Sequence, residues 1–311
     1  MTFLLAHAQE LVPPPPGLHA LTLWPLDPPV VVSILLAGIA YGWGYRRVPH
    51  FPAWRAASFM GGLVVLLVAL GGPIAAYDTT LLSLHMAQHL LVTSVAAPLL
   101  ALGAPVALAL RAAAPVWRRR LVRVAHSRVV RVIGNPLFTF GLFAAVMWGS
   151  HYSNLYPAAL ESEPVHAFEH LLYLVAAFLY WWPVVGADPG AHRLPYPGKL
   201  VYLFLTMPVQ AALGLSIYMS PQLLYAHYGS LLRPWGPSPL EDQRVAGELM
   251  WVGGNLLMIA PFVLTIFAWM RHEDRKARRV DRLLDRLAAE NGDGNAPPSP
   301  ETMRSTGRTD S

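Results

Sequence analysis

Two histidine pairs share one interval in this chain. His85 and His89 lie four residues apart in a long apolar segment, and His166 and His170 repeat the interval in another. In a helix that spacing stacks both imidazoles on one face. His151, near the end of a third apolar segment, follows Met147 at the same interval. Imidazole is the commonest protein ligand for metals. Five imidazoles in apolar surroundings therefore point to a metal or cofactor site. A proton relay and a polar helix–helix network are the other roles open to such groups. The chain has no Cys, which excludes disulfides, thiolate metal sites and Cys-held iron–sulfur clusters. Thioether and carboxylate remain as companions for imidazole. Met86, Met147, Met219 and Met250 offer thioethers, and Glu169 lies beside the second pair. Glu169 either ligates directly or orients a ring from behind. A donor set of this kind suits copper, as Cu(I) or Cu(II), or zinc. The candidate metal ligands are His85, His89, His151, His166 and His170, with Met86, Met147 and Glu169.

The elements that must position these residues are membrane helices. Of 311 residues, 54% are hydrophobic and 13% charged, about half the charge of an average soluble domain. A bilayer core needs about 20 apolar residues per helix. Seven segments are predicted to span: Pro28–Tyr45, Trp54–Tyr77, Leu81–Leu110, Pro136–Leu155, Pro164–Gly186, Lys199–Met219 and Arg244–Met270. The third carries Pro98 and Pro105, where a kink or a break is expected. The expected fold is an all-α polytopic bundle. Residues 1–27 form an external segment, 28–270 the membrane domain, and 271–311 a basic tail that begins as an amphipathic helix and ends disordered. With seven spans, 21 of the 23 Lys and Arg fall on one side. The positive-inside rule then puts the N-terminus outside and the C-terminus in the cytoplasm. Membrane topology and lipid contact account for the basic charge, and nucleic acid is not an expected partner. No Gly-rich phosphate loop follows a predicted strand, so nucleotide chemistry is not indicated.

This topology brings all five imidazoles to similar depth near the outer surface. The fourth and fifth segments, joined by a short external connection, are expected to be antiparallel neighbours, with the third packed beside them. His227, Asp242-Gln243 and Glu248 lie on the same side and are expected to line the same cavity. His7 and His19 are also external, while His50, His126, His192 and His272 are read as solvated residues of the basic side.

The order His85-Met86-Ala87-Gln88-His89, then Pro98 and Gly103-Ala104-Pro105, resembles the signature of the caa3-type CtaG family of cytochrome c oxidase assembly proteins. Trp148–His151, Tyr156-Pro157-Ala158-Ala159-Leu160, His166-Ala167-Phe168-Glu169-His170 and Trp181-Trp182-Pro183 resemble its second block. Asp242-Gln243, Gly247 and Met250-Trp251 resemble its third. The resemblance implies copper handling for the oxidase in a bacterial plasma membrane. Oxidase subunits and an external copper donor would be partners, and no catalytic turnover is implied. Three rival readings remain. A haem cytochrome would take one His from each of two facing helices. A metal-free assembly scaffold would need no ligands. An intramembrane zinc peptidase would use His166-x-x-Glu169-His170 as an inverted zincin motif with Glu169 as base.

Overall fold

The computed structural model of the chain describes residues 13–189 and 192–294. Those residues form helices and connecting turns, with no strand among them. After a short turn of 3-10 helix at Leu18–Thr22, α1 runs Pro28–Arg47 and α2 Ala53–Gly71. The next apolar stretch is broken in two ways. α3 (Leu82–Leu90) passes into a π-helical segment, Leu91–Ala96, and then α4 (Ala97–Leu102). Ala104 then takes a left-handed conformation (φ 50°), and Pro105 opens α5 (Pro105–Ala112). The break expected from the two prolines thus falls at Pro105, because the preceding residue is kept out of the right-handed helical region. Pro98 lies just past the π segment, and the helical conformation runs on through Ala96 and Ala97 into α4.

The remaining elements are α6 (Pro115–Ala125), α7 (Arg128–Ile133), α8 (Pro136–Tyr152), α9 (Leu155–Glu161), α10 (Glu163–Val185), α11 (Tyr196–Tyr218), α12 (Ala226–Ser230), α13 (Pro239–Glu248), a second π segment at Leu249–Gly253, and α14 (Gly254–Gly294). Side chains capable of capping mark several starts. Asn135 accepts from Leu137 and Phe138 at the head of α8. Ser238 and Glu241 form a reciprocal capping box on α13.

Among the described residues six stretches are long and apolar enough to cross a membrane: Pro28–Arg47, Ala53–Gly71, Leu82–Ala112, Glu163–Val185, Tyr196–Tyr218 and Pro239–Leu287. The fourth predicted span corresponds to α8, whose 17 residues reach only about 25 Å at 1.5 Å per residue. Two compact units divide the chain, Met1–Phe262 and Val263–Ser311. Within the first, the Leu82–Ala112 stretch is central. It packs on α2, α10 and α13, α8 packs on α10, and α1 covers α2 and α5. The bundle's interior is aromatic, with Tyr156, Tyr173, Tyr180 and Trp181 all buried. Its outer surface is apolar too: Leu35, Leu36 and Ile39 of α1 are exposed, as expected of helices solvated by lipid. α11 and α13 cross at Gly214 and Gly247, each lying against the other's backbone, and a Cβ on Gly247 would stand 2.6 Å from the Tyr218 nitrogen.

In the second unit the described side chains of α14 are exposed or half-buried and strongly basic. His7 and the expected disordered end of the tail lie outside the described residues.

Candidate metal centre

α3 brings His85 and His89 into the bundle's interior, 0% and 3% exposed. Their rings stand at 78° with centroids 4.4 Å apart, and the two Nε2 atoms meet at 3.0 Å. One of the two must donate to the other. Both Nδ1 atoms are buried without a hydrogen-bond partner. Glu169, from α10, is 0% exposed. Its Oε2 lies 3.9 Å from His85 Nε2, and neither carboxylate oxygen accepts a hydrogen bond. One ligand atom from each of His85, His89 and Glu169 falls within 4.8 Å of the others. Buried polar atoms without partners are costly, and this group collects four of them in one place.

The other three histidines surround this group. His166 stacks on His85 with centroids 5.3 Å apart, its Nε2 buried and unpartnered. His170 lies 4.2 Å from His166 and 5.9 Å from His89. Its Nε2 meets Gln88 Oε1 at 3.0 Å. The Gln88 amide nitrogen donates to Ala69 O and to Asp78 Oδ2, each at 2.9 Å. The Gln88 oxygen is thus an acceptor only, and the proton of neutral His170 sits on Nε2. Its lone pair is on Nδ1. Burial pushes the Asp78 carboxyl up to about 7, against the opposing pull of the Gln88 and Thr79 hydrogen bonds.

His151, at the end of α8, is fixed by the same logic. Its Nδ1 lies 2.7 Å from Met147 O, a group that only accepts, so the proton is on Nδ1. Nε2, carrying the lone pair, faces Met86 Sδ at 3.4 Å. An imidazole lone pair and a thioether sulfur therefore confront each other with no proton between them. Met147 contributes its carbonyl, while its side chain lines a small cavity with Phe140, Phe143 and Leu213.

Tyrosines from the connecting segments roof the cluster. Tyr156 of α9 stands edge-on to His85 and parallel to His151, at 4.9 and 6.0 Å. Its hydroxyl pairs with that of Tyr228 at 3.0 Å, and Tyr228 donates to Asp78 O at 2.9 Å. Tyr225 packs 4.5 Å from Tyr156 and donates to His151 O. Tyr173, one turn below His170, stacks on His89 at 4.2 Å. It also hydrogen-bonds Ser150. Burial pushes the Tyr156 and Tyr228 hydroxyls well above their ordinary range, so both stay neutral hydrogen-bond donors.

Several expected cavity-lining residues do other work. Asp242 is buried and accepts from Leu82 N at 2.7 Å and Ser83 Oγ at 2.5 Å. It supplies from α13 the N-cap that Leu81 cannot give α3. Gln243 holds Leu224 N and the carbonyls of Ile217 and Gln222. Glu248 and Met219 are exposed, and Met250 is a buried core residue. His227 lies in the roof, its Nε2 donating to Thr79 O. His19, His50, His126, His192 and His272 are exposed. Sequence reasoning missed Gln88, Asp78, Tyr156, Tyr225 and Tyr228. Gln88 carried a local signal, set between His85 and His89, although the ring it holds is that of His170.

A bundle of apolar helices, six of membrane-crossing length, with an imidazole and carboxylate cluster sealed inside it, defines a multi-pass membrane protein. Residues 39–272 match the family of cytochrome c oxidase caa3 assembly factors (Caa3_CtaG), and the chain belongs to that family. Similar proteins include an uncharacterized protein of Mycobacterium bovis, 32% identical over 288 residues, covering 89% of this chain and 44% of that protein. An uncharacterized protein of Mycobacterium leprae is 29% identical over 293 residues, covering 90% of this chain and 44% of its own length. The chain thus spans less than half the length of these relatives. No solved structure matches it.

Proposed function

We propose that this protein is a copper-handling assembly factor of the bacterial plasma membrane. It captures copper in the cluster of His85, His89, Glu169, His151 and Met86 and passes it to cytochrome c oxidase. α8 serves as a seventh span, which puts the cluster on the outer side and the arginine-rich loops in the cytoplasm. His166 and His170 flank the first ligands and complete the set as the ion moves. Oxidase subunits, and an external donor of copper, are the partners. With α8 as a span, the basic tail from residue 271 lies on the cytoplasmic leaflet in this reading. The observation that carries this reading is the collection of unpartnered buried donor atoms on His85, His89 and Glu169. A cation would draw one ligand atom from each of the three residues. The His151 Nε2–Met86 Sδ pair favours copper over zinc, because a thioether is a soft donor that suits Cu(I). Glu169 groups with histidines of another helix, which favours a carrier over the inverted zincin arrangement.

Metal analysis of the purified chain tests the reading. Wild type supplied with copper should retain about one ion per chain, on the order of one full cluster's worth of ligands. His85→Ala/His89→Ala should retain less than a tenth of that while keeping its helical circular dichroism. Wild type that holds no copper, or a double variant that holds as much, would overturn it.

A further inference from the structure

The far end of the Leu82–Ala112 stretch carries a second site, whose existence does not depend on the copper reading. Between α1, α2 and α5 lies a cavity of 650 Å³, within the range that accommodates small-molecule ligands. Small side chains make up much of its wall, Ala37 and Ala40 on α1 and Pro105 and Ala109 on α5, while at Gly44 α1 packs closely on Leu108 of α5. Tyr41 and Phe59, stacked with centroids 4.0 Å apart, form a rigid wall, and Tyr41 OH is anchored to Gly103 O at 2.7 Å.

The chemistry changes where the cavity meets α6. Arg47 lines it and lies over the Trp43 ring at 3.9 Å. Trp117, in the first turn of α6, lines it as well, with Arg120 at 5.0 Å over its ring. α6 itself buries no residue: Val116, Trp117, Leu121 and Val124 are exposed beside Arg119, Arg120 and Arg123. Arg118 is already used, fastening α6 to the end of α5 through the carbonyls of Leu110, Arg111 and Ala113. The others have no acidic partner within reach of sequence, since no Asp or Glu occurs anywhere from residue 79 to residue 160. Among the described residues no carboxylate pairs with Arg47, Arg119, Arg120 or Arg123.

An apolar slot that ends in indoles and uncompensated guanidinium groups matches a molecule with a hydrocarbon chain and an anionic head. We infer that this cavity binds an anionic phospholipid, with one acyl chain in the groove walled by α1, Phe59 and α5, the phosphate between Arg47 and Arg120, and α6 lying along the leaflet surface. Indoles prefer that interfacial depth, and juxtamembrane arginines are attracted to anionic headgroups. A free phosphate ion would leave the slot unfilled. A zwitterionic lipid would leave the positive charge uncompensated, and a second copy of the chain would bring the same arginines against each other.

The test uses the full chain in detergent, offered phosphatidylglycerol or phosphatidylcholine at equal concentration, with native mass spectrometry reading the retained lipid. Wild type should retain one phosphatidylglycerol in clear preference to phosphatidylcholine, and excess inorganic phosphate should not displace it. At roughly fivefold per arginine, Arg47→Gln/Arg120→Gln should lose about twenty-five-fold of that preference, and Arg47→Lys/Arg120→Lys should keep most of it. Ala40→Trp, which fills the slot, should lose retention of both lipids while Arg119 and Arg123 remain. Helical circular dichroism of each variant must match wild type. Equal retention of the two lipids by wild type would overturn the inference. So would an unchanged preference in the Gln variant, displacement by phosphate alone, or a groove closed by dimerisation.

Discussion

Asp242 offers the most direct check on how the histidine helix is held. α3 starts after Leu81, which has no group able to bond the free N–H donors of a helix start. Asp242 reaches across from α13, 160 residues along the chain, and takes the Leu82 N–H at 2.7 Å and the Ser83 hydroxyl at 2.5 Å. Asp242→Ala leaves a buried backbone donor without a partner, at a cost of about 1–3 kcal/mol, and bonds to a charged acceptor lie at the upper end. The Ser83 hydroxyl rotates to find another acceptor, so it adds only about 1 kcal/mol. The total for Ala is about 3–4 kcal/mol. Asp242→Asn keeps one oxygen for Leu82 N–H, and Ser83 turns to accept from the new amide, so its cost is about 1 kcal/mol. At ~2–4 °C per kcal/mol for a domain of 150–250 residues, the expected falls are about 10 °C for Ala and about 3 °C for Asn. Tryptophan fluorescence melts in detergent measure this, at one fixed scan rate because unfolding of such proteins is kinetically controlled. An Ala variant melting within about 2 °C of wild type, or an Asn variant as damaged as Ala, would refute the cap.

Two further perturbations probe the bundle itself. Burial pushes the Asp188 carboxyl from its ordinary 3.8 to about 6, held from rising further by the Ala107 and Val106 N–H groups and by Arg55. A raised pKa means that this group's contribution is complete below pH 3.8 and is lost as pH climbs through about 6. The melting temperature should fall over that window by the equivalent of about 2–3 kcal/mol, and Asp188→Asn, which keeps the acceptor for Ala107, should flatten the profile. An unchanged slope in the Asn variant would locate the titration elsewhere. Gly247→Ala places a Cβ 2.6 Å from Tyr218 N and 2.7 Å from Gly214 O, backbone atoms that cannot turn aside. It should cost about 2–3 kcal/mol, whereas Gly42→Ala, with nothing within 4 Å, should be neutral or gain up to ~1 kcal/mol. Equal melts for the two glycine variants would count against the close crossing.

The histidine spacing was informative because interval and depth are both local properties of a helix. Interval four put His85 over His89 and His166 over His170, and the ends of the apolar segments set a common level for His151. Contacts made across long sequence distance carried no such trace. Tyr228 reaches Asp78 over 150 residues, and nothing in its neighbourhood announces a roof over the cluster. Asp242 looked like a polar residue turned toward a cavity, because sequence shows that a carboxylate is buried without showing which donor it serves. Met147 shares a helix face with His151, yet the useful atom is its carbonyl oxygen. The π segments were illegible for another reason. In a helix that is apolar on every side, an extra residue in one turn leaves no mark on hydrophobic periodicity.

Those π segments have a consequence for how this chain can change over time. One residue turns an α-helix by about 100°, so a single insertion ordinarily swings everything beyond it to a wrong face. A π turn absorbs the added residue locally. Leu91–Ala96 begins two residues after His89, and Leu249–Gly253 follows α13, whose first turn carries Asp242. The imidazole-bearing turns and the membrane-packing turns of one helix are thereby uncoupled in phase. Selection can then adjust the ring geometry at one end while the ridges that lock α4 against α2 and α10 keep their inherited alignment.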